Sequence, residues 1–115
     1  MHPFTMPSNP HAWWRPATWD LSSKTWPSTV GSYTATWTGS ASETRVSGHG
    51  ASAYVTALEG GTSVVMNFGS VISSSFTICS LTRYTGGTSW RILDSTTLDW
   101  LHGHFYGEAA WGRWR

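Results

Sequence analysis

Residues 100–106 read WLHGHFY, and the alternation of their side chains decides the fold. Successive side chains on a strand point to opposite faces. Trp100, His102, His104 and Tyr106 therefore share one side, and Leu101, Gly103 and Phe105 the other. The second set is apolar and suits a core, with Gly103 leaving room for a large neighbour or a bend. The first set is a row of two imidazoles bounded by two amphipathic aromatics.

Other segments show the same period of two. Residues 33–37 (YTATW) alternate aromatic, Thr and Ala, as a half-buried strand does. Residues 53–58 (AYVTAL) and 63–68 (SVVMNF) are two further strands, with Gly60-Gly61 between them as a hairpin signal. Residues 75–84 (SFTICSLTRY) make the strongest strand of all, and Gly86-Gly87 then predicts a second hairpin to 90–93. The tetrapeptide GGTS occurs at both turns, at 60–63 and 86–89, which shared turn chemistry explains.

A short strand over 12–16 ends at Pro16, since proline is tolerated at strand ends. Residues 19–31 read as a long loop pinned by Trp19 and Trp26, residues 47–50 (SGHG) as a glycine-rich connection, and 1–11 as an extended lead-in with Pro3, Pro7 and Pro10. No segment sustains apolar spacing at i, i+3, i+4, i+7. The expectation is an all-β antiparallel sandwich formed as one domain over 12–115.

Composition agrees with a folded chain and excludes several functions. Charged residues make up 11% of the 115 residues, against roughly a quarter in ordinary soluble domains, while aromatics reach 15% and nine residues are Trp. Disordered chains lack aromatics. Net charge is +1 and the seven Lys and Arg stand singly, so no basic stripe exists to neutralise a row of phosphates and nucleic acid is not expected as a partner. Cys79 is the only cysteine, which excludes an internal disulfide and any CxxC zinc knuckle. Its apolar surroundings suggest a small buried hydrophobe. No apolar run reaches 18 residues, so no membrane span is expected. The N-terminal residues lack the pattern of a signal peptide, so any export signal is expected outside this chain.

Three readings of the imidazole row stand. Imidazoles two apart on a strand can converge on one ion, but a structural zinc needs four ligands and a catalytic one three plus water. Asp94, Asp99, Glu108 and His49 are the other donors, and none has diagnostic spacing; the acids read as loop or tail residues. A glycan is the second reading, because aromatic rings take the apolar faces of sugars while His, Asp and Arg orient hydroxyls. Packing is the third: His102 and His104 hydrogen-bond neighbouring segments, and Trp100 and Tyr106 lie under a loop. Elsewhere Trp13, Trp14 and Trp37 read as core anchors, His49 as a turn residue, and Arg83 as a partner for a carboxylate across a strand.

The run WWRP at 13–16, SFTICSLTRYTGG at 75–87, RIL at 91–93 and WLHGHFYG at 100–107, in that order, resembles laminin-G-like domains of the concanavalin A-like lectin/glucanase group. The resemblance covers about residues 12–115 and rests on hydrophobic patterns and turn residues. It implies a jelly-roll sandwich, an extracellular location, and carbohydrate or protein as ligand. Complete domains of that group are larger, with further strands beyond the position of Tyr106. The expectation is either a truncated sandwich, whose exposed edge invites self-association, or a reduced one.

The group also contains glycoside hydrolases, which need two carboxylates at a defined separation. This chain has six acids and no E-x-D-x-x-E run, and G-x-S-x-G, H-E-x-x-H and phosphate-loop motifs are missing too. The expected function is a non-catalytic, lectin-like carbohydrate-binding or adhesion module without a cofactor. Its ligand-binding residues would be Trp100, His102, His104 and Tyr106, with Asp99 and Trp111 at the margin. The alternative is a structural or protein-interaction sandwich belonging to a larger assembly.

Overall fold

The structure, a computed structural model, describes residues 8–48, 50–87, 89–95, 100–106 and 108–113. Its regular elements are eight strands and, among the described residues, no helix. All pairings are antiparallel, so the chain is all-β. It separates into two compact units, Met1–Ser74 and Ser75–Arg115.

In the first unit, β2 (Thr34–Thr38) is the centre of a three-stranded sheet. Its sequence TATWT alternates cleanly: Ala35 and Trp37 are buried and the three threonines face out. β1 (Thr25–Pro27) pairs with one edge, setting Trp26 opposite Ala35. β5 (Val65–Asn67) pairs with the other, setting Met66 opposite Trp37. The long loop expected over 19–31 thus contains a strand, which a bridge between Asp20 and Thr25 extends.

The strand expected over 12–16 does not form. Side chains capture its backbone instead: Trp13 N–H donates to Ser28 Oγ at 2.8 Å, and the Trp13 carbonyl accepts from Thr29 Oγ1 at 3.2 Å beside a backbone bond from Thr29 N–H at 2.8 Å. Such side-chain bonds compete directly with a ladder. The tryptophans then lock together. Trp14 Nε1 donates to the Trp26 carbonyl and Trp26 Nε1 to the Arg15 carbonyl. Phe68 meets Trp14 edge-on at 4.9 Å, and Trp19 meets Trp26 edge-on at 5.2 Å, the geometry that aromatic quadrupoles favour. Trp37 is buried as a core anchor, whereas Trp13 and Trp14 are half-buried.

The other sheet of this unit pairs β3 (Ala41–Val46) with β4 (Val55–Gly60) in a six-residue register from Ala41↔Gly60 to Val46↔Val55. The hairpin expected at Gly60-Gly61 is therefore not made. β4 turns back on β3, and a turn closed by Val64 N–H to the Gly61 carbonyl sends β5 to β2. β3 carries Ser, Glu, Thr and Arg with mixed exposure, so it shows no apolar period from which to detect it.

In the second unit β7 (Trp100–Phe105) is flanked by β6 (Leu93–Asp94) and β8 (Glu108–Arg113). Residues 75–84, expected as the strongest strand, form no ladder, and neither does the hairpin expected at Gly86-Gly87. β8 lies along the whole of β7 and β6 occupies part of its other side, which leaves 75–84 to reach β7 through side chains. Cys79 within it is exposed, contrary to the buried position its neighbours suggested. Among the described residues of this unit Leu101 is buried, at 1% exposure. Among the described residues no polar or charged side chain is buried.

Candidate functional site

The predicted row begins from the pleat of β7. Leu101 faces inward and is covered, while His102 and His104 are half-buried. Gly103 between them has φ +93°, a left-handed conformation that suits glycine. A Cβ at that position would lie 3.6 Å from Thr82 Oγ1, so segment 75–84 passes close to the strand.

That passage gives each imidazole a partner. His102 Nε2 and Ser80 Oγ share a hydrogen bond of 3.0 Å, and His104 Nδ1 and Thr82 Oγ1 share one of 2.8 Å. The Tyr84 ring then lies 5.2 Å from the His104 ring at 59°. Ser80, Thr82 and Tyr84 recur at every second residue and match His102 and His104 at the same period. Two extended segments thus present facing rows joined by hydroxyl–imidazole bonds, a net contribution of about 0.5–1.5 kcal/mol each.

The row continues into exposed aromatics. Tyr84 Oη donates to the Trp90 carbonyl at 2.8 Å, and the Tyr106 N–H donates to the Ser89 carbonyl at 2.7 Å. Trp90 and Tyr106 stand with ring centroids 6.1 Å apart at 41°, 60% and 69% exposed. Tyr106 does not continue the strand face, as alternation predicted. It begins the two-residue connection between Phe105 and Glu108 with φ +52°, the backbone that a tight primed hairpin turn demands. The turn carries its ring out of the β7 row and into contact with Trp90.

The other expected site residues are placed by backbone. Trp100 opens β7 opposite Arg113, and Trp111 lies on β8 opposite His102. Asp99 and His49 fall outside the described residues. Asp94 and Glu108, expected in loop or tail, lie on β6 opposite Leu101 and on β8 opposite Phe105. Among the described residues no three His, Cys, Asp or Glu side chains come together as a metal cluster. No helix of the described residues is long and apolar enough to cross a membrane. Sequence reasoning missed Ser80, Thr82, Tyr84 and Trp90. The alternation of hydroxyl-bearing residues at 80, 82 and 84 was the available signal.

No protein-family model, curated protein or solved structure matches the chain.

Proposed function

We propose that the second unit is a non-catalytic, lectin-like module that binds carbohydrate or mediates adhesion, with His102 and His104 at the centre of its site. The supporting observation is one connected chain of contacts. Hydroxyl and imidazole groups of Ser80, Thr82, His102 and His104 run through Tyr84 to the exposed rings of Trp90 and Tyr106. Sugar recognition needs both halves, polar atoms to meet ring hydroxyls and aromatic faces to cover C–H surfaces. Trp100, Asp99 and Trp111 belong to the margin of this site in the same reading. The antiparallel all-strand architecture is also compatible with a jelly-roll sandwich of the laminin-G-like, concanavalin A-like kind, which we put forward with it.

A glycan array with the whole chain, repeated on a His102→Ala/His104→Ala double variant, tests the proposal. Binding to one glycan class that the double variant loses is expected. An array without hits would overturn the function, and unchanged binding in the folded variant would remove the site.

A second reading, a protein-interaction module, draws on different residues of the same unit. Leu81 is 88% exposed, Phe76 and Ile92 are exposed as well, and β8 lies at the edge of its sheet. Apolar side chains and sheet edges attract other chains. Size-exclusion chromatography with light scattering discriminates: a monomer at every concentration speaks against self-association.

A further inference from the structure

We infer that Trp90 and Tyr106 form the stacking platform of the site, and that the ligand is a neutral pyranose glycan. This rests on the carbohydrate-binding reading above and gives it a ligand class. Trp90 was not among the residues that sequence pattern pointed to, because it lies ten residues before the histidine strand and off its period.

The platform has three physical supports. Both rings are more exposed than covered although each is held in place. Tyr84 Oη anchors the Trp90 carbonyl, and the Ser89 carbonyl takes the Tyr106 N–H. These bonds hold the backbone that carries both rings, so less chain freedom is lost when a ligand arrives. Next, the rings are tilted 41° at 6.1 Å. A flat aromatic ligand clamped between two rings would need parallel planes further apart. Two inclined faces suit a puckered ring that rests across both. The negative face of each aromatic π-system attracts weakly positive C–H groups. Common β-pyranoses present several axial C–H groups on one side.

The polar half of the surface selects for neutrality. Ser80, Thr82, Tyr84, His102 and His104 supply hydroxyls and imidazoles, none of which carries a permanent charge. They can exchange hydrogen bonds with sugar hydroxyls as donors and acceptors. A sialylated or sulfated glycan would instead call for guanidinium or ammonium groups in the row.

The test measures binding of the intact chain by calorimetry or array. The probes are cello-oligosaccharide, lacto-oligosaccharide, a mannan and heparin, with wild type, Trp90→Ala, Trp90→Phe and Tyr106→Ala. Both ring positions are exposed, so the variants should fold, which far-UV circular dichroism verifies. Wild type is expected to bind at least one of the three neutral probes, and in preference to heparin. Trp90→Ala and Tyr106→Ala should weaken this by about ten-fold or more, as hot-spot aromatics do, and Trp90→Phe by less. Preference for heparin over every neutral probe would overturn the ligand class. Glycan binding by the folded Trp90→Ala and Tyr106→Ala variants at wild-type strength would overturn the platform while leaving the carbohydrate function standing. No binding by wild type to any probe or array glycan would remove both together, and capture of a protein partner by the same rings would then favour the interaction module.

Discussion

Thr82 and His104, 22 residues apart in the chain, share a hydrogen bond of 2.8 Å between Oγ1 and Nδ1. This bond ties an extended segment without a ladder to the central strand of the second unit. Thr82→Val removes the hydroxyl and keeps the shape, so the imidazole loses its protein partner. The loss should be about 0.5–1.5 kcal/mol of stability, read as a lower urea midpoint at unchanged slope. Thr82→Ser should retain most of it. Equal midpoints for wild type and Thr82→Val would show that the bond carries no net stability.

Leu101 is 1% exposed while Leu81 is 88% exposed. Truncating the first removes packed methyl groups and leaves a cavity, costing about 2–5 kcal/mol. Truncating the second should change stability by no more than about 0.5 kcal/mol. Thermal melts of Leu101→Ala and Leu81→Ala compare them directly, and similar melting temperatures would contradict the inward orientation of Leu101.

Gly39 has φ +86°, and a Cβ there would come within 2.9 Å of the Ser63 carbonyl oxygen. Conformation and space both oppose a side chain. Gly39→Ala should destabilise by at least about 1–2 kcal/mol, the cost of left-handed backbone for an L residue, before any clash is added. Gly61 has open space around its Cβ position and no such backbone angle. Gly61→Ala should be neutral, or slightly stabilising because it restricts the unfolded chain. Chemical denaturation of the two variants reads the difference.

Asp20 accepts hydrogen bonds from Ser22 Oγ, Ser22 N–H and Ser23 N–H, all on Oδ1. The Ser22 side chain first, then the two backbone amides, hold its carboxyl below its ordinary value of 3.8. A depressed folded-state value means that the ionised form favours folding. Its contribution is complete above the unfolded-state value and disappears as pH falls through the folded-state value. Wild type should therefore exceed Asp20→Asn in stability near neutrality, and the gap should close below about pH 3.8. A gap that stays constant down to strongly acidic pH would contradict this. The carboxyl is fully exposed, so salt will screen part of the effect.

The sequence by itself determined the class and several elements. Alternation in TATWT marks β2, and its two inward residues are buried as the pattern requires. The segments of β4, β5 and β7 were legible for the same local reason, that a pleated strand with one covered face writes a period of two into the sequence. That His102 and His104 lie together on β7 was legible too, whereas their hydroxyl partners Ser80 and Thr82 were not.

Only the tertiary structure decided which strands meet. β4 chose β3 over β5, although Gly60-Gly61 is good turn chemistry, because ladder partners are selected by register over many residues and not by the turn alone. β3 and β8 escaped detection since polar or small residues erase the period. Residues 75–84 carry the period but build no ladder: their Ser80 and Thr82 hydroxyls go to imidazoles 22 residues away. Tyr106 left its predicted row because a two-residue turn needs positive φ there, and that departure is what brought it beside Trp90. A row of residues on one strand is written locally, whereas the segment that faces it is a long-range contact, which no local period encodes.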